Sequence, residues 1–369
     1  MAKRIRKKYR LKKIWIILIP TFIIISILLI NKNNIINTYL SKKTGYNKEI
    51  IEVFQENNII NDIKNESYSK TLEKIINTEH YNHKYLKEYF NINYIEETNF
   101  LENIKNLLDK GYNSEDINNI YIKLNQNSIN TIIENEYIKD ITNIISIKYF
   151  KENNLERYIK YYQNKELDIE TILTYVNIGL DNEYYTNVAN IENQDDILVL
   201  VNKYYKLSSN YIPKDLEKVN NSTATLKKEA KIAFDEMSKA AKQENIYIYG
   251  GSGYRSYSHQ QTLYNNYVNR DGKKAADTYS ARAGHSEHQT GLAMDVMNAR
   301  WDYIDKTDKE YTWLINNSYK YGFILRYLEG KEEITGYMYE PWHYRYVGID
   351  IATEITKQGI TYEEYLAKK

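Results

Sequence analysis

GHSEHQTGLAMDV, residues 284–296, places two histidines and an aspartate around a glycine, in a chain of 369 residues with only six histidines. The second half, GLAMDV, has the alternation of a β-strand, which puts Asp295 and Leu292 on opposite faces. An aspartate that points off this strand toward His288 in the preceding loop can supply the second of two ligands to one metal ion. The stretch therefore predicts a strand that carries part of a metal site.

A third ligand is needed for a hydrolytic zinc site, which has three protein ligands and one open position for water. The motif EPWHYRYVG, about fifty residues further on, offers His343 and, three residues earlier, Glu340. A carboxylate beside the metal can take the proton from metal-bound water, whose pKa falls from about 15.7 to about 7. His288, Asp295, His343 and Glu340 together cover a ligand set and a general base.

Composition narrows the chemistry further. The chain has 50 Lys and Arg residues against 49 Asp and Glu residues, a net charge of +1, so no nucleic-acid partner is expected. It has no cysteine, which excludes disulfides, a thiol nucleophile and any cysteine-ligated metal. A bound metal must therefore be held by His, Asp or Glu.

The first thirty residues predict a membrane anchor. Residues 1–13 carry eight basic side chains and no acidic one, and residues 14–30 form an uncharged run of 17. That length is at the lower end of what a membrane-spanning helix needs, and the basic flank favours a cytoplasmic N-terminus. We expect a basic tail at 1–13, a transmembrane signal anchor at 14–30 and an extracytoplasmic remainder. A cleaved signal peptide is the alternative, although no A-x-A-like cleavage site follows.

Residues 31–195 are predicted to form an all-α region that serves as a spacer or docking region. FLENIKNLLDKG has apolar residues at helical spacing, and SEDINNIYIKL restarts the pattern after a stop at Gly111, with Ser114 as N-cap. No fixed repeat period emerges, which leaves a solenoid open. His80 and His83 have no third ligand nearby in sequence and receive no metal role.

Residues 196–369 are predicted to form a second domain of the α+β class. STATLKKEAKIAFDEMSKAAKQEN indicates an amphipathic helix capped by Ser222 or Thr223. IYIY, residues 246–249, then indicates a strand, and GGSG a glycine-rich turn.

Four motifs of this second domain resemble those of the VanY-type D-alanyl-D-alanine carboxypeptidases. They are SGYRSYSHQQTLY, GHSEHQTGLAMD, YGFILRY and GYMYEPWHYRYVG. The resemblance covers residues 196–369, and S-x-H-x-x-G-x-x-x-D followed by E-x-W-H is a specific signature. It implies a zinc peptidase domain, with a small antiparallel sheet flanked by helices, that removes the C-terminal D-alanine from peptidoglycan stem peptides. The family includes LdcB-type L,D-carboxypeptidases.

The resemblance also implies residue roles. The implied zinc ligands are His288, Asp295 and His343. Glu340 would be the general base and then the proton donor to the leaving amine, and Arg255 would hold the substrate carbonyl and stabilise the oxyanion. Ser286 would contact substrate and Gln260 would line the pocket. The family pattern leaves the position of His285 off the metal, so the alternative ligand pair of His285 and His288 is disfavoured.

Two functions from other classes stay open on sequence alone. One is a zinc-containing cell-wall-binding module that does not cleave, for which Glu340 would have no use. The other is a partner-binding scaffold carried by the helical half, whose protein partners are unknown. The choice between D,D and L,D specificity, and between carboxypeptidase, endopeptidase and dipeptidase action, also stays open.

Overall fold

The computed structural model describes the backbone of residues 2–369 and the side chains of residues 21–369. The chain forms two compact units, Met1–Ser146 and Ile147–Lys369. Residues 147–195, which the sequence analysis grouped with the helical region, thus lie in the second unit. The functional division at residues 13, 30 and 195 stays a prediction.

The regular secondary structure described in the first unit is helical. Its α-helices are α1 (Ala2–Thr44), α2 (Lys48–Glu56), α3 (Ile60–Ile63), α4 (Lys70–Ile75), α5 (Leu86–Asn91), α6 (Phe100–Lys110), α7 (Ser114–Lys123), α8 (Gln126–Glu134) and α9 (Ile141–Ser146), with a 3-10 helix at His83–Tyr85. From α7 to α9, each helix contacts the helix that stands two places before it in the chain. α7 contacts α5, α8 contacts α6 and α9 contacts α7.

Within α1, residues Thr21–Thr44 are long and apolar enough to cross a membrane, by length and composition alone. Apolar side chains from Phe22 to Ile30 are exposed. The side chains of residues 14–20, where the predicted span begins, lie outside the described residues. A signal sequence would meet the same criteria.

The sequence Gly-Tyr-Asn occurs at residues 45–47 and again at 111–113, each time before a helix. Both glycines adopt positive φ, 84° and 110°. Each asparagine caps the next helix, and each tyrosine hydroxyl accepts a hydrogen bond from a later backbone N–H, that of Ser69 or Ile138. The predicted cap at Ser114 is therefore wrong by one residue, because Asn113 forms a capping box with Asp116.

The second unit mixes helices with small sheets, as predicted. Its α-helices are α10 (Leu155–Asn164), α11 (Ile169–Asn177), α12 (Lys228–Gln243), α13 (Tyr257–Asp271), α14 (Lys273–Tyr279), α15 (Lys309–Asn317), α16 (Glu332–Thr335), α17 (Ile349–Gln358) and α18 (Tyr362–Ala367). Its strands are β1 (Ala189–Asn190), β2 (Tyr205–Lys206), β3 (Leu216–Lys218), β4 (Thr225–Lys227), β5 (Tyr249–Ser252), β6 (Ala293–Met297), β7 (Phe323–Leu325) and β8 (His343–Tyr346). Its 3-10 helices are Glu152–Asn154, Glu287–Thr290 and Ser318–Tyr321.

The central sheet has four strands in the order β5-β6-β8-β7, and every neighbouring pair is antiparallel. One face is apolar: Leu292, Met294 and Val296 enter a buried cluster with Phe234 of α12 and Phe323 of β7. Asp295 points to the other face, as the alternation predicted. The sheet thus holds polar strand residues over an apolar core.

Two sequence-based boundaries differ from the structure. The helix predicted from Ser222 begins only at Lys228, because Thr225–Lys227 pairs with β3 as a strand. The strand predicted at residues 246–249 begins only at Tyr249. The turn that follows the end of α12 at Gln243 extends to Ile246 and delays the start of the strand. There the Ile246 N–H donates to the Ala241 carbonyl.

Candidate metal centre

Asp295 and His343 are brought together by strand register. They are direct partners on β6 and β8, and His343 Nδ1 lies 3.0 Å from Asp295 Oδ1. His288, in the 3-10 helix before β6, approaches the other carboxylate oxygen, with Nε2 at 3.2 Å from Oδ2. All three side chains are buried, and one ligand atom from each lies within 4.8 Å of the others. The predicted ligand set therefore converges.

Backbone geometry fixes the orientation of His288. Gly291 ends the 3-10 helix at a φ of +69°, which turns the chain directly into β6. His288 Nδ1 lies 2.8 Å from the Gly253 carbonyl, so that nitrogen donates and Nε2 is left to face Asp295. Gly253 also packs against the backbone of β4, which only a glycine allows: a Cβ there would lie 2.2 Å from the Thr225 carbonyl oxygen.

The charges within the cluster suit a cation. Burial opposes ionisation of Asp295, but His288 and His343 hold its pKa below the usual range. Burial lowers the pKa of His288 and favours the neutral ring that ligates metals. Burial acts in the same direction on His343, but its contacts with Asp295 and Glu287 raise its pKa to about 9. The carboxylates thus favour positive charge at this position, as they would for a metal ion.

Glu340 lies on the loop before β8, on the wall of the same site. Its Oε2 is 3.7 Å from His343 Nδ1, and its backbone is tied to Tyr327 by a hydrogen bond of 3.3 Å. Burial raises the pKa of Glu340 to about 8, although the charge of His343 opposes the shift. A buried carboxyl with a pKa near neutrality can both accept and return a proton.

Arg255 lies just after β5, the strand that pairs with β6 on the side away from β8, and its side chain extends into the site. Its guanidinium donates to Gln260 Oε1 at 2.8 Å and to Ser252 Oγ at 2.9 Å, and it lies 3.7 Å from Asp295 Oδ2. Its backbone N–H donates to the His288 carbonyl at 3.1 Å. Gln260 is buried and fixes the Arg255 side chain.

The seven residues singled out from the sequence line one cleft of about 360 Å³. They are Arg255, Gln260, Ser286, His288, Asp295, Glu340 and His343. The sequence analysis missed several aromatic residues of the cleft wall, which are Tyr267, Tyr279, Tyr303, Tyr327 and Tyr337. Trp342, the tryptophan of the E-x-W-H motif, also lines the cleft and is half-buried beside Tyr303. A cleft of this size suits a small ligand.

The remaining histidines stay apart from the cluster. His285 is buried, with Nδ1 2.7 Å from the Asn202 carbonyl oxygen and its ring edge-on to Tyr185. His259 is exposed on α13. His80 and His83 belong to no group of three metal-capable side chains among the described residues.

Two histidines and an aspartate around a cleft, with an unligated carboxyl and a fixed arginine beside them, are the parts of a metal-assisted hydrolase. Comparison with known proteins narrows the class. Residues 223–349 match the sequence profile of the VanY family, described as D-alanyl-D-alanine carboxypeptidase. The chain is 40% identical over 221 residues to the putative carboxypeptidase YodJ of Bacillus subtilis, covering 56% of this chain and 78% of that protein.

Two further matches each cover about half of the chain. A D-alanyl-D-alanine carboxypeptidase of Enterococcus faecalis is 40% identical over 187 residues, which span 47% of this chain and 67% of that protein. The solved structure of the LdcB LD-carboxypeptidase aligns with a TM-score of 0.47 and 40% identity, over 50% of this chain and 91% of that one. The chain belongs to the VanY family of carboxypeptidases. It is therefore a peptidase of a zinc-dependent family.

Proposed function

We propose that this protein is a zinc carboxypeptidase that removes the C-terminal D-alanine from peptidoglycan stem peptides. The observation that carries the proposal is the convergence of His288, Asp295 and His343 beside Glu340 in one cleft. The ring nitrogens and carboxylate oxygen form a donor set that suits zinc, and the chain has no cysteine to compete as ligand. Zinc held there would supply a Lewis acid that lets water ionise near neutral pH.

Glu340 acts as the proton carrier in the proposed reaction. It accepts a proton as the oxygen of water bonds to the carbonyl carbon of the terminal peptide bond. It then returns that proton to the amine nitrogen as the carbon–nitrogen bond breaks and D-alanine leaves. Burial keeps its pKa near the working pH, and a nearby dication would favour the carboxylate form that starts the cycle.

Arg255 is proposed to stabilise the negative charge that develops on the carbonyl oxygen. Its guanidinium is fixed by Gln260 and Ser252 before substrate arrives, so no reorganisation is needed at the transition state. Ser286 lines the cleft next to the ligands, where it can contact the peptide. Gln260 would then act mainly through Arg255.

The proposed location of the protein rests on its apolar helix. We infer that α1 anchors the protein in the cytoplasmic membrane, with the basic N-terminus inside and the peptidase unit outside, where peptidoglycan lies. Residues 31–195, which follow the anchor in the chain, would act as a spacer or docking region.

The experiment that tests the function uses the full-length protein in detergent, loaded with zinc. Muropeptides that end in D-Ala-D-Ala (pentapeptides) and in a single D-alanine (tetrapeptides) are incubated with it, and the products are weighed by mass spectrometry. We expect loss of one terminal alanine from one or both substrates, which also assigns D,D or L,D specificity. The Asp295→Ala variant should show no product. Zinc-loaded protein that leaves both substrates intact would contradict the proposal.

A further inference from the structure

Glu287 is a buried carboxylate in the wall of the cleft, beside the Nε2 of His343 rather than the Nδ1 that faces Asp295. Its Oε2 is 3.6 Å from His343 Nε2. Among the described residues, neither of these two buried atoms has a hydrogen-bond partner. Buried polar atoms in proteins nearly always have a hydrogen-bond partner. These two atoms face each other, which indicates that they can form a hydrogen bond with each other.

The other oxygen of Glu287 is fully engaged. Oε1 accepts from Arg326 Nε at 2.8 Å and from Arg345 Nη1 at 3.0 Å. Arg326 also donates twice to Glu363 of α18, at 2.7 and 2.8 Å. All four side chains are buried and their charges cancel. This buried charge cluster, Glu287, Arg326, Arg345 and Glu363, holds one oxygen of Glu287 and aims the other at His343.

The ring of His343 has two nitrogens with different surroundings. Nδ1 faces Asp295 and Glu340 on the cleft side, whereas Nε2 faces Glu287. A histidine that ligates through Nδ1 must carry its proton on Nε2 and needs an acceptor there. Glu287 Oε2 is that acceptor among the neighbouring groups.

We propose that Glu287 is a positioning residue for the metal centre: it accepts the Nε2–H of His343 and so presents Nδ1 to the metal. Arg326 and Arg345 hold Glu287 in place, and acceptance of the Nε2–H by its carboxylate makes the ring a stronger ligand. This inference rests on the proposed zinc site and adds a residue beyond its three protein ligands.

The test compares two matched variants of the full-length protein, Glu287→Gln and Glu363→Gln. Each substitution removes one buried carboxylate charge from the same cluster, but only Glu287 faces His343. Zinc affinity is measured by competition with a chromophoric chelator, the visible spectrum is recorded with cobalt(II), and thermal unfolding is followed in parallel. We expect Glu287→Gln to weaken zinc binding about 10- to 100-fold and to alter the cobalt spectrum. Glu363→Gln should lower the melting temperature while leaving both metal readouts unchanged.

Equal zinc affinity in Glu287→Gln and the unchanged protein would overturn the inference, as would equal weakening in both variants. If Glu287→Gln does not fold, Glu287→Asp serves instead, because it keeps the charge on Arg326 and Arg345 but withdraws the oxygen from His343; an intact cobalt spectrum in that variant counts against the inference. The proposed function fails separately if zinc binds normally but no muropeptide is cleaved. An unchanged protein that binds no zinc would overturn both.

Discussion

Asp295 and His343 face each other as direct register partners on two antiparallel strands, although 47 residues separate them in the chain. Cross-strand partners in a sheet have Cβ atoms about 5 Å apart, so a metal held by both is held by the sheet itself. His288 joins them through the short 3-10 helix that leads into the same strand. A site built on sheet register has little freedom to change shape when substrate binds.

Replacing Glu340 with glutamine should abolish turnover and leave zinc in place. The amide keeps the shape of the side chain but cannot accept or return the proton, so we expect kcat to fall at least about 100-fold. Hydrolysis of pentapeptide muropeptides and zinc content by elemental analysis are the two measurements. Glu329→Gln, which alters an exposed ion pair with Lys306, is the matched control. A Glu340→Gln protein with normal turnover would sink the mechanism.

Replacing Arg255 with alanine should lower kcat by about 100- to 1000-fold with a smaller change in KM, because the charge it faces develops only in the transition state. Arg255→Lys should restore little of this loss. A lysine ammonium cannot reproduce the two directed contacts with Gln260 and Ser252. Steady-state kinetics on the muropeptide substrate provide the measurement. Lys357→Ala, at an exposed position near the end of α17, should behave like the unchanged protein.

Replacing His285 with asparagine should change how stability depends on pH. Burial lowers the pKa of His285 below that of an unfolded histidine, so the native state binds this proton less tightly and loses stability as the pH falls below about 6.5. At pH 7.5, His285→Asn should be less stable because it loses the ring contact with Tyr185. That deficit should shrink at pH 5.

Melting temperatures at the two pH values measure this effect, and the other buried histidines cancel in the difference. His259→Asn, at an exposed position, is the control for the substitution itself and should leave the melting temperature at pH 7.5 unchanged. A deficit for His285→Asn that grows at pH 5 would show that the sign is wrong.

Placing charges in the apolar helix should release the protein from the membrane. Each lysine at the centre of a spanning helix costs about 2.5 to 3.5 kcal/mol, so Ile25→Lys combined with Leu28→Lys should prevent stable insertion. Carbonate-washed membranes from cells that produce each form, probed for the peptidase unit, give the readout. Asn33→Lys, beyond the predicted span, should stay in the membrane. Release of the unchanged protein would favour a cleaved signal peptide instead.

Sequence reasoning could single out the candidate site residues because they lie in short motifs with fixed internal spacing. His288, Gly291 and Asp295 fall within eight residues, so one turn and one strand suffice to place them. The pairing of Asp295 with His343 depends on the order of strands in the sheet, which local pattern does not determine. The family resemblance, rather than periodicity, made that connection predictable.

Other features of the structure were harder to predict from the sequence. Glu287 falls at an unspecified position of the pattern S-x-H-x-x-G-x-x-x-D. Its proposed role depends on Arg326, just after β7, and on Arg345 in β8. The start of α12 was misplaced because Thr225–Lys227 has helical spacing but pairs with β3. The repeated Gly-Tyr-Asn was visible in the sequence and would have placed the caps of α2 and α7.

The buried charge cluster has a consequence for biogenesis. A ribosome adds Glu363 twenty residues after His343, so all three ligands are made before the cluster behind them can close. Until α18 docks, Arg326 lacks one carboxylate partner, and Glu287, Arg326 and Arg345 together carry a net positive charge. A buried charge without its partner is costly, so we expect a chain that ends after residue 360 to unfold at a lower temperature than the full-length chain, which thermal unfolding of the two purified forms would measure. The peptidase unit would then reach its full stability only after α18 has been made.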